Sequence, residues 1–177
     1  MFLRMMNREQ VVEALRLKVL GLRDAGTGVW TGELAPSALS TALATAVLLD
    51  GDADDARRAR AGVRWLIDNV NADGGWGDTP DSPSNLSATL IARGAVEVFA
   101  RKFPRGLEYT DGALAGSGGW VIRRVGSLEF PGVVRALRGV YGEDRTFAAP
   151  ILAFLALCGS PPPPPPPPRG GGGGGPP

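Results

Sequence analysis

Three carboxylates stand within four positions at Asp52-Ala53-Asp54-Asp55. Crowded, desolvated carboxylates are one way to build a general acid, because repulsion and burial keep one of them protonated near neutral pH. The surrounding stretch, "LLDGDADDARRARAG", points to a plainer role. Asp50-Gly51 closes one helical pattern, and Asp52 or Asp54 is placed to cap the next. Acidic residues there suit the positive end of the helix dipole. Arg57 and Arg58 follow one turn on and favour the ionised state, the wrong state for a proton donor. The chain has no histidine, the commonest general base and metal ligand. Cys158 is the single cysteine, so no internal disulfide can form. No catalytic, cofactor-binding or metal-ligating residue is assigned, and no cofactor is expected.

A second stretch has the residue types of a binding loop: "NADGGWGDTPDSPSNLSATL", residues 71–90. A large indole at Trp76 sits among Gly74, Gly75 and Gly77, just ahead of a helical pattern. A catalytic loop, a ligand-binding turn and a structural clamp would each use such a design. Repetition favours the clamp. "GVWTGELAPSALSTAL" (28–43) parallels "GGWGDTPDSPSNLSATL" (74–90), with Ser37, Leu39, Ser40 and Leu43 matching Ser84, Leu86, Ser87 and Leu90. Trp30 and Trp76 lie 46 positions apart, and Trp120, after Gly118 and Gly119, follows 44 later. Glycine permits positive φ and close approach, while an indole N–H can satisfy a helix-end carbonyl. A period in the mid-forties with two helices per unit reads as a helical-hairpin repeat, each hairpin burying its faces against its neighbours.

The elements that would carry these turns are all helical. Val12, Leu15, Val19 and Leu22 mark one face of a first helix, with Asn7 and Gln10 as a capping box. Leu39, Leu43 and Val47 mark a second helix, Ala56, Ala59, Val63 and Leu66 a third, and Leu86, Leu90, Gly94 and Val98 a fourth. A shorter fifth is expected between Asp111 and Arg124, a sixth opening at Pro131 and ending near Tyr141, and a seventh over Phe147 to Cys158. No sustained period-two alternation suggests a strand. Residues 1–160 read as one folded stretch. Residues 161–177 are eight prolines, one arginine, six glycines and two prolines, expected to be a disordered or polyproline-type tail.

Nineteen basic against eighteen acidic residues leave almost no net charge, so a nucleic-acid partner is not indicated. "MFLRMM" is too short for the apolar region of a secretion signal, and the longest apolar run falls short of the ~20 residues that span a bilayer. These features point to the cytoplasm.

"RAGVRWLIDNVNADGGW" (60–76) resembles the tryptophan-rich repeat of squalene-hopene cyclases and related class II terpene cyclases. Arg60, Ala61, Trp65, Gly74 and Trp76 hold the places of that motif. Val70 stands where the family has a glutamine thought to tie neighbouring helices. "GVWTGELAPSALSTALA" is similar to the first repeat of the bacterial enzymes, and "VYGEDRTFAAPILAFLAL" (140–157) to a later segment. The likeness runs over roughly residues 7–159. Trp30, Trp65, Gly74, Gly75, Trp76 and Trp120 become the structural residues of the repeat.

The resemblance implies an α/α toroid of helical hairpins, here a partial barrel. It also implies a parent reaction in which a carboxylic acid protonates a polyene to start cyclisation, at a membrane surface and without metal or organic cofactor. Asp52-Ala53-Asp54-Asp55 spells the family's Asp-x-Asp-Asp donor pattern, but in the wrong region and without its histidine partner. The match is to the N-terminal region, so the chain is expected to be an N-terminal fragment or truncated homologue, inactive alone. Its partners would be the C-terminal cyclase half or a second copy. The flank of the last helix at Ile151, Leu152, Phe154 and Leu155 would then lack a neighbour. A non-catalytic helical-repeat module that binds protein or lipid is the alternative. A zinc-holding prenyltransferase subunit shares the toroid but needs histidine.

Overall fold

The computed structural model describes residues 7–32, 34–104, 108 and 110–159, and seven helices account for most of them. Among the described residues there is no strand, only an isolated bridge between Arg23 and Trp30. The tail expected over 161–177 lies outside the described residues. The chain divides into two units at Ala35/Pro36.

The first unit contains α1 (Arg8–Gly21). It starts at the expected capping box: Asn7 Oδ1 accepts from the Gln10 amide at 2.9 Å, and Gln10 Oε1 accepts from the Asn7 amide at 3.0 Å. The apolar spacing predicts a buried face, yet no residue of α1 is buried. The described residues of its unit form one helix and a loop, and an apolar stripe needs a second layer to bury it.

The second unit holds α2 (Ala38–Leu48), α3 (Ala53–Asp68), α4 (Leu86–Lys102), α5 (Thr110–Val125), α6 (Phe130–Tyr141) and α7 (Arg145–Leu157). Five of these six starts have a local cause. Ser37, Asp52, Asn85 and Asp144 accept from backbone amides in the first turns of α2, α3, α4 and α7, and Pro131 occupies the first turn of α6. The helix at 110–125 is a full 16 residues, not a short one, despite four glycines. Packing overrides their low propensity.

The core is organised around α4. Ten of its 17 residues are buried, so it is covered on nearly every side, by α2, α3, α5 and α7. Small residues allow the close approaches. A Cβ on Gly62 of α3 would fall 2.2 Å from the Thr45 hydroxyl of α2, and Thr45 is itself buried. Gly94 of α4 leaves room for Phe154, Leu155 and Cys158 of α7.

That last contact corrects one expectation. Ile151 and Leu155 are buried, and Leu152 and Phe154 pack partly buried against the core, so the flank of α7 does have a neighbour. A strict head-to-tail stack of hairpins would set α6 beside α4. Here α7 packs on α4 and on α6 instead.

Candidate functional site

The loop between α3 and α4 carries a dense polar network. α3 ends at Asp68 with Asn69 as its cap, which leaves the carbonyls of its last turn short of partners. Trp76 supplies one. It is 1% exposed, and its Nε1–H donates to the Leu66 carbonyl at 2.8 Å. Its backbone amide donates to Thr89 Oγ1 at 2.9 Å, and its carbonyl accepts from the Asn85 amide at 2.9 Å. One tryptophan therefore joins the end of α3 to the start of α4.

The glycines are required by this geometry. Gly74 has φ of +90°, and a Cβ there would stand 2.7 Å from the Gly116 carbonyl oxygen of α5. Gly75 is pressed against Ser84 and Thr89. The turn therefore touches α5 as well as the two helices it connects.

Trp30 makes the same bond in the first unit. Its Nε1–H donates to the Val19 carbonyl at 2.6 Å. Val19 is the third residue from the end of α1, as Leu66 is of α3. The ring is half exposed, and the Arg23 guanidinium lies over it at 5.6 Å. Trp65 is partly buried against the core, and its carbonyl accepts from the Asn69 side chain at 2.8 Å.

Trp120 departs from the repeat. It lies inside α5, not in a turn, and its Nε1–H donates to Asp73 Oδ2 at 2.9 Å. Asp73 is the residue the sequence did not single out. Oδ1 accepts from the Ser84 hydroxyl at 2.6 Å and the Gly75 amide at 3.1 Å, and its carbonyl accepts from Arg123 at 2.9 Å. Asn71, one position beyond Val70, donates to Ser84 Oγ at 2.9 Å and the Ser82 carbonyl at 3.1 Å. The amides of Asn69 and Asn71 thus make side-chain bonds on either side of Val70. An acid two positions before a Gly-Trp turn was the available signal for Asp73. Its partner Trp120, 47 residues away, was not readable.

The Ser84 hydroxyl bond, reinforced by the Gly75 amide and the Trp120 indole, holds the Asp73 carboxyl below its ordinary value of 3.8 despite an opposing desolvation. A lowered folded-state pKa adds stability that is complete above the unfolded value and is lost as pH falls through the folded one. We therefore expect Asp73→Asn to lower the melting temperature at pH 7. The gap to the natural chain should close below about pH 4. A thermal melt series from pH 7 to pH 2.5 checks this, and a gap independent of pH contradicts it.

The aspartate run is a helix cap. Asp52 Oδ1 accepts from the amides of Asp54 and Asp55 at 2.9 and 3.0 Å. Asp54 and Asp55 pair with Arg57 and Arg58 at 3.1 and 3.4 Å, and Asp54 is largely exposed. Asp52 and Asp54 are exposed and Asp55 is half-buried, so the run lies at the surface with its oxygens engaged by backbone amides and arginines.

The remaining chemistry is modest. Cys158 is buried, and its thiol is pushed up to about 11, chiefly by desolvation, so little thiolate exists at neutral pH. Among the described residues no cluster of His, Cys, Asp or Glu is placed to hold a metal ion. A cleft of about 210 Å³ between α4, α6 and α7 is lined by Leu90, Phe130, Val133 and Leu155, with Arg93 and Glu97 at its side. Arg93 is occupied by Glu97 at 2.6 Å, Ser117 Oγ at 3.0 Å and the Leu114 carbonyl.

The chain matches no protein-family model, no curated protein and no solved structure.

Proposed function

We propose that the chain is a non-catalytic segment of helical hairpins, of the kind found in the N-terminal region of squalene-hopene-cyclase-like toroids. Its tryptophan turns serve packing, not proton transfer. One observation carries this reading: two tryptophans of the repeat, Trp30 and Trp76, donate to the same carbonyl position of the helices before them. A recurring structural bond explains a recurring motif, and a catalytic loop would not need to recur. The capped, arginine-paired aspartates support a structural role for that run.

In this reading the partner is a C-terminal cyclase half or a second copy. The parent reaction is cyclisation of a squalene-type polyene by an enzyme peripheral to the membrane on its cytoplasmic side. No helix among the described residues is long and apolar enough to cross a membrane. The alternative is a helical-repeat module that binds protein or lipid. The exposed Val12, Leu15 and Val19 of α1, with Leu22 at its C-terminal cap, favour it.

A cyclisation assay with squalene separates the readings. The purified chain alone is expected to give no cyclised product. Product from the chain mixed with the C-terminal half of a bacterial cyclase supports the toroid segment, and none from either arm favours the module. Product from the chain alone, abolished by Asp54→Asn, would overturn the non-catalytic assignment.

A further inference from the structure

α1 presents an exposed apolar seam of a particular kind. Val12, Leu15, Val19 and the cap residue Leu22 recur at spacings of three, four and three. That spacing sets them in line along one side of the helix. It also alternates a β-branched residue with leucine, the pattern of a helix that pairs with a second helix by knobs into holes. All four are between 53% and 65% exposed. Both ends of α1 are pinned. The capping box of Asn7 and Gln10 holds its start, and the Trp30 indole donates to the Val19 carbonyl at 2.6 Å near its end. The seam is therefore in helical form before anything binds, which lowers the ordering cost of a complex.

The charges around the seam select the partner. At 3.6 residues per turn, Lys18 lies on one edge and Arg16 on the other, and Arg8 continues the line one heptad before Leu15. Among the acids of α1, Glu9 shares the Arg16 edge. Glu13 lies further round the helix and reaches Arg16 at 3.1 Å in an exposed pair. Leu17 and Leu20 are exposed on the opposite side. The seam is thus apolar along its length and mainly basic along its rim.

We propose that this seam pairs with an acidic amphipathic helix of another protein, as a short two-stranded coil. The inference rests on the non-catalytic reading and names the partner that the module form of it would take. A second copy of α1 fits less well, because in either orientation it sets a basic edge against a basic edge. A lipid surface is met by a broad face rich in Trp, Phe and Leu, and this seam is narrow and half valine.

The test titrates the full-length ¹⁵N-labelled chain with two synthetic three-heptad helices. Both carry valine and leucine on the seam; one has glutamate on its edges and the other lysine. The acidic helix is expected to move the amide resonances of residues 12–22 and to bind at least about tenfold more tightly than the basic one, with the difference shrinking as salt rises. Leu15→Ser should abolish the binding, and Arg16→Glu with Lys18→Glu should reverse the preference. Leu34→Ser removes a 97% exposed leucine outside α1 and should bind as the natural chain does. Circular dichroism shows that each variant keeps its helix. Unmoved α1 resonances, or a basic helix that binds as well as the acidic one, overturn the proposal. So do α1 resonances that depend on chain concentration without peptide, which make the partner a second copy. Resonances that move with phosphatidylglycerol vesicles and not with the acidic helix overturn it too, in favour of lipid. The squalene assay reads the non-catalytic assignment separately: absence of product leaves that assignment standing even where neither helix binds.

Discussion

Trp76→Ala is expected to destabilise the second unit by about 3–5 kcal/mol, the cost of emptying a large aromatic site in a core. The side chain is 1% exposed, and the variant also takes the indole donor from the Leu66 carbonyl at the end of α3. The carbonyl would keep only its 3.3 Å bond from the Asn69 amide, and the lost indole bond adds to the cavity cost. Trp30→Ala breaks the equivalent bond to Val19, but that ring is 51% exposed, so it should cost much less. Urea unfolding followed by far-ultraviolet circular dichroism measures both. Equal losses, or an unchanged midpoint for Trp76→Ala, would mean that Trp76 does not tie α3 to α4.

Gly74→Ala should be strongly destabilising. A φ of +90° strains any residue with a Cβ, and that atom would stand 2.7 Å from the Gly116 carbonyl oxygen. Backbone cannot rotate away as a flexible side chain would. The conformational strain alone is about 1–3 kcal/mol, and displacement of α5 adds to it. Gly139→Ala is the matching control. Gly139 lies on the exposed face of α6 with open space around it, and alanine there should stabilise by about 0.5–1 kcal/mol through helix propensity. Thermal melts of the two variants should move in opposite directions. A Gly74→Ala chain as stable as the natural one would mean that the turn does not press on α5.

What could be read in advance followed from short-range physics. Asn7 with Gln10, Ser37, Asp52 and Pro131 fix helix starts within a few residues of themselves, so all seven helices were anticipated. The asparagine cap of α4 was not: the repeat alignment pairs Ser84 with Ser37, yet Asn85 takes the cap and Ser84 turns to Asp73. Long-range partners were the harder part. The apolar spacing of α1 is the same whether or not a second layer exists to bury it. Glycines 112, 116, 118 and 119 argue against a long helix until packing is known, and Gly116 proves to be where α5 meets the Gly74 turn. Trp120 resembles a third turn by its Gly-Gly-Trp pattern, but the chain continues helical through it and sends the indole to Asp73. By spacing, Gly94 is one position of a helix face. Its missing side chain is what admits Phe154 and Leu155, and so removes the bare flank expected of α7.

The aspartate run shows why a motif needs its surroundings. Asp52, Asp54 and Asp55 spell a proton-donor pattern, yet Asp52 spends an oxygen on two backbone amides and its neighbours lie beside arginines. A general acid needs burial without a cation, and this position has the opposite arrangement.

The central claim is that the repeated tryptophan turn clamps helices and does not receive a ligand. Solvent exchange of the indole N–H protons, followed in a ¹H–¹⁵N spectrum after transfer to deuterium oxide, tests it most directly. The account predicts that the Trp76 proton exchanges as slowly as the most protected amides of α4, the Trp30 proton much faster, and neither shifts on adding a squalene-type polyene. A rapidly exchanging Trp76 indole, or one whose resonance moves with the polyene, would contradict the clamp and make the turn a binding site.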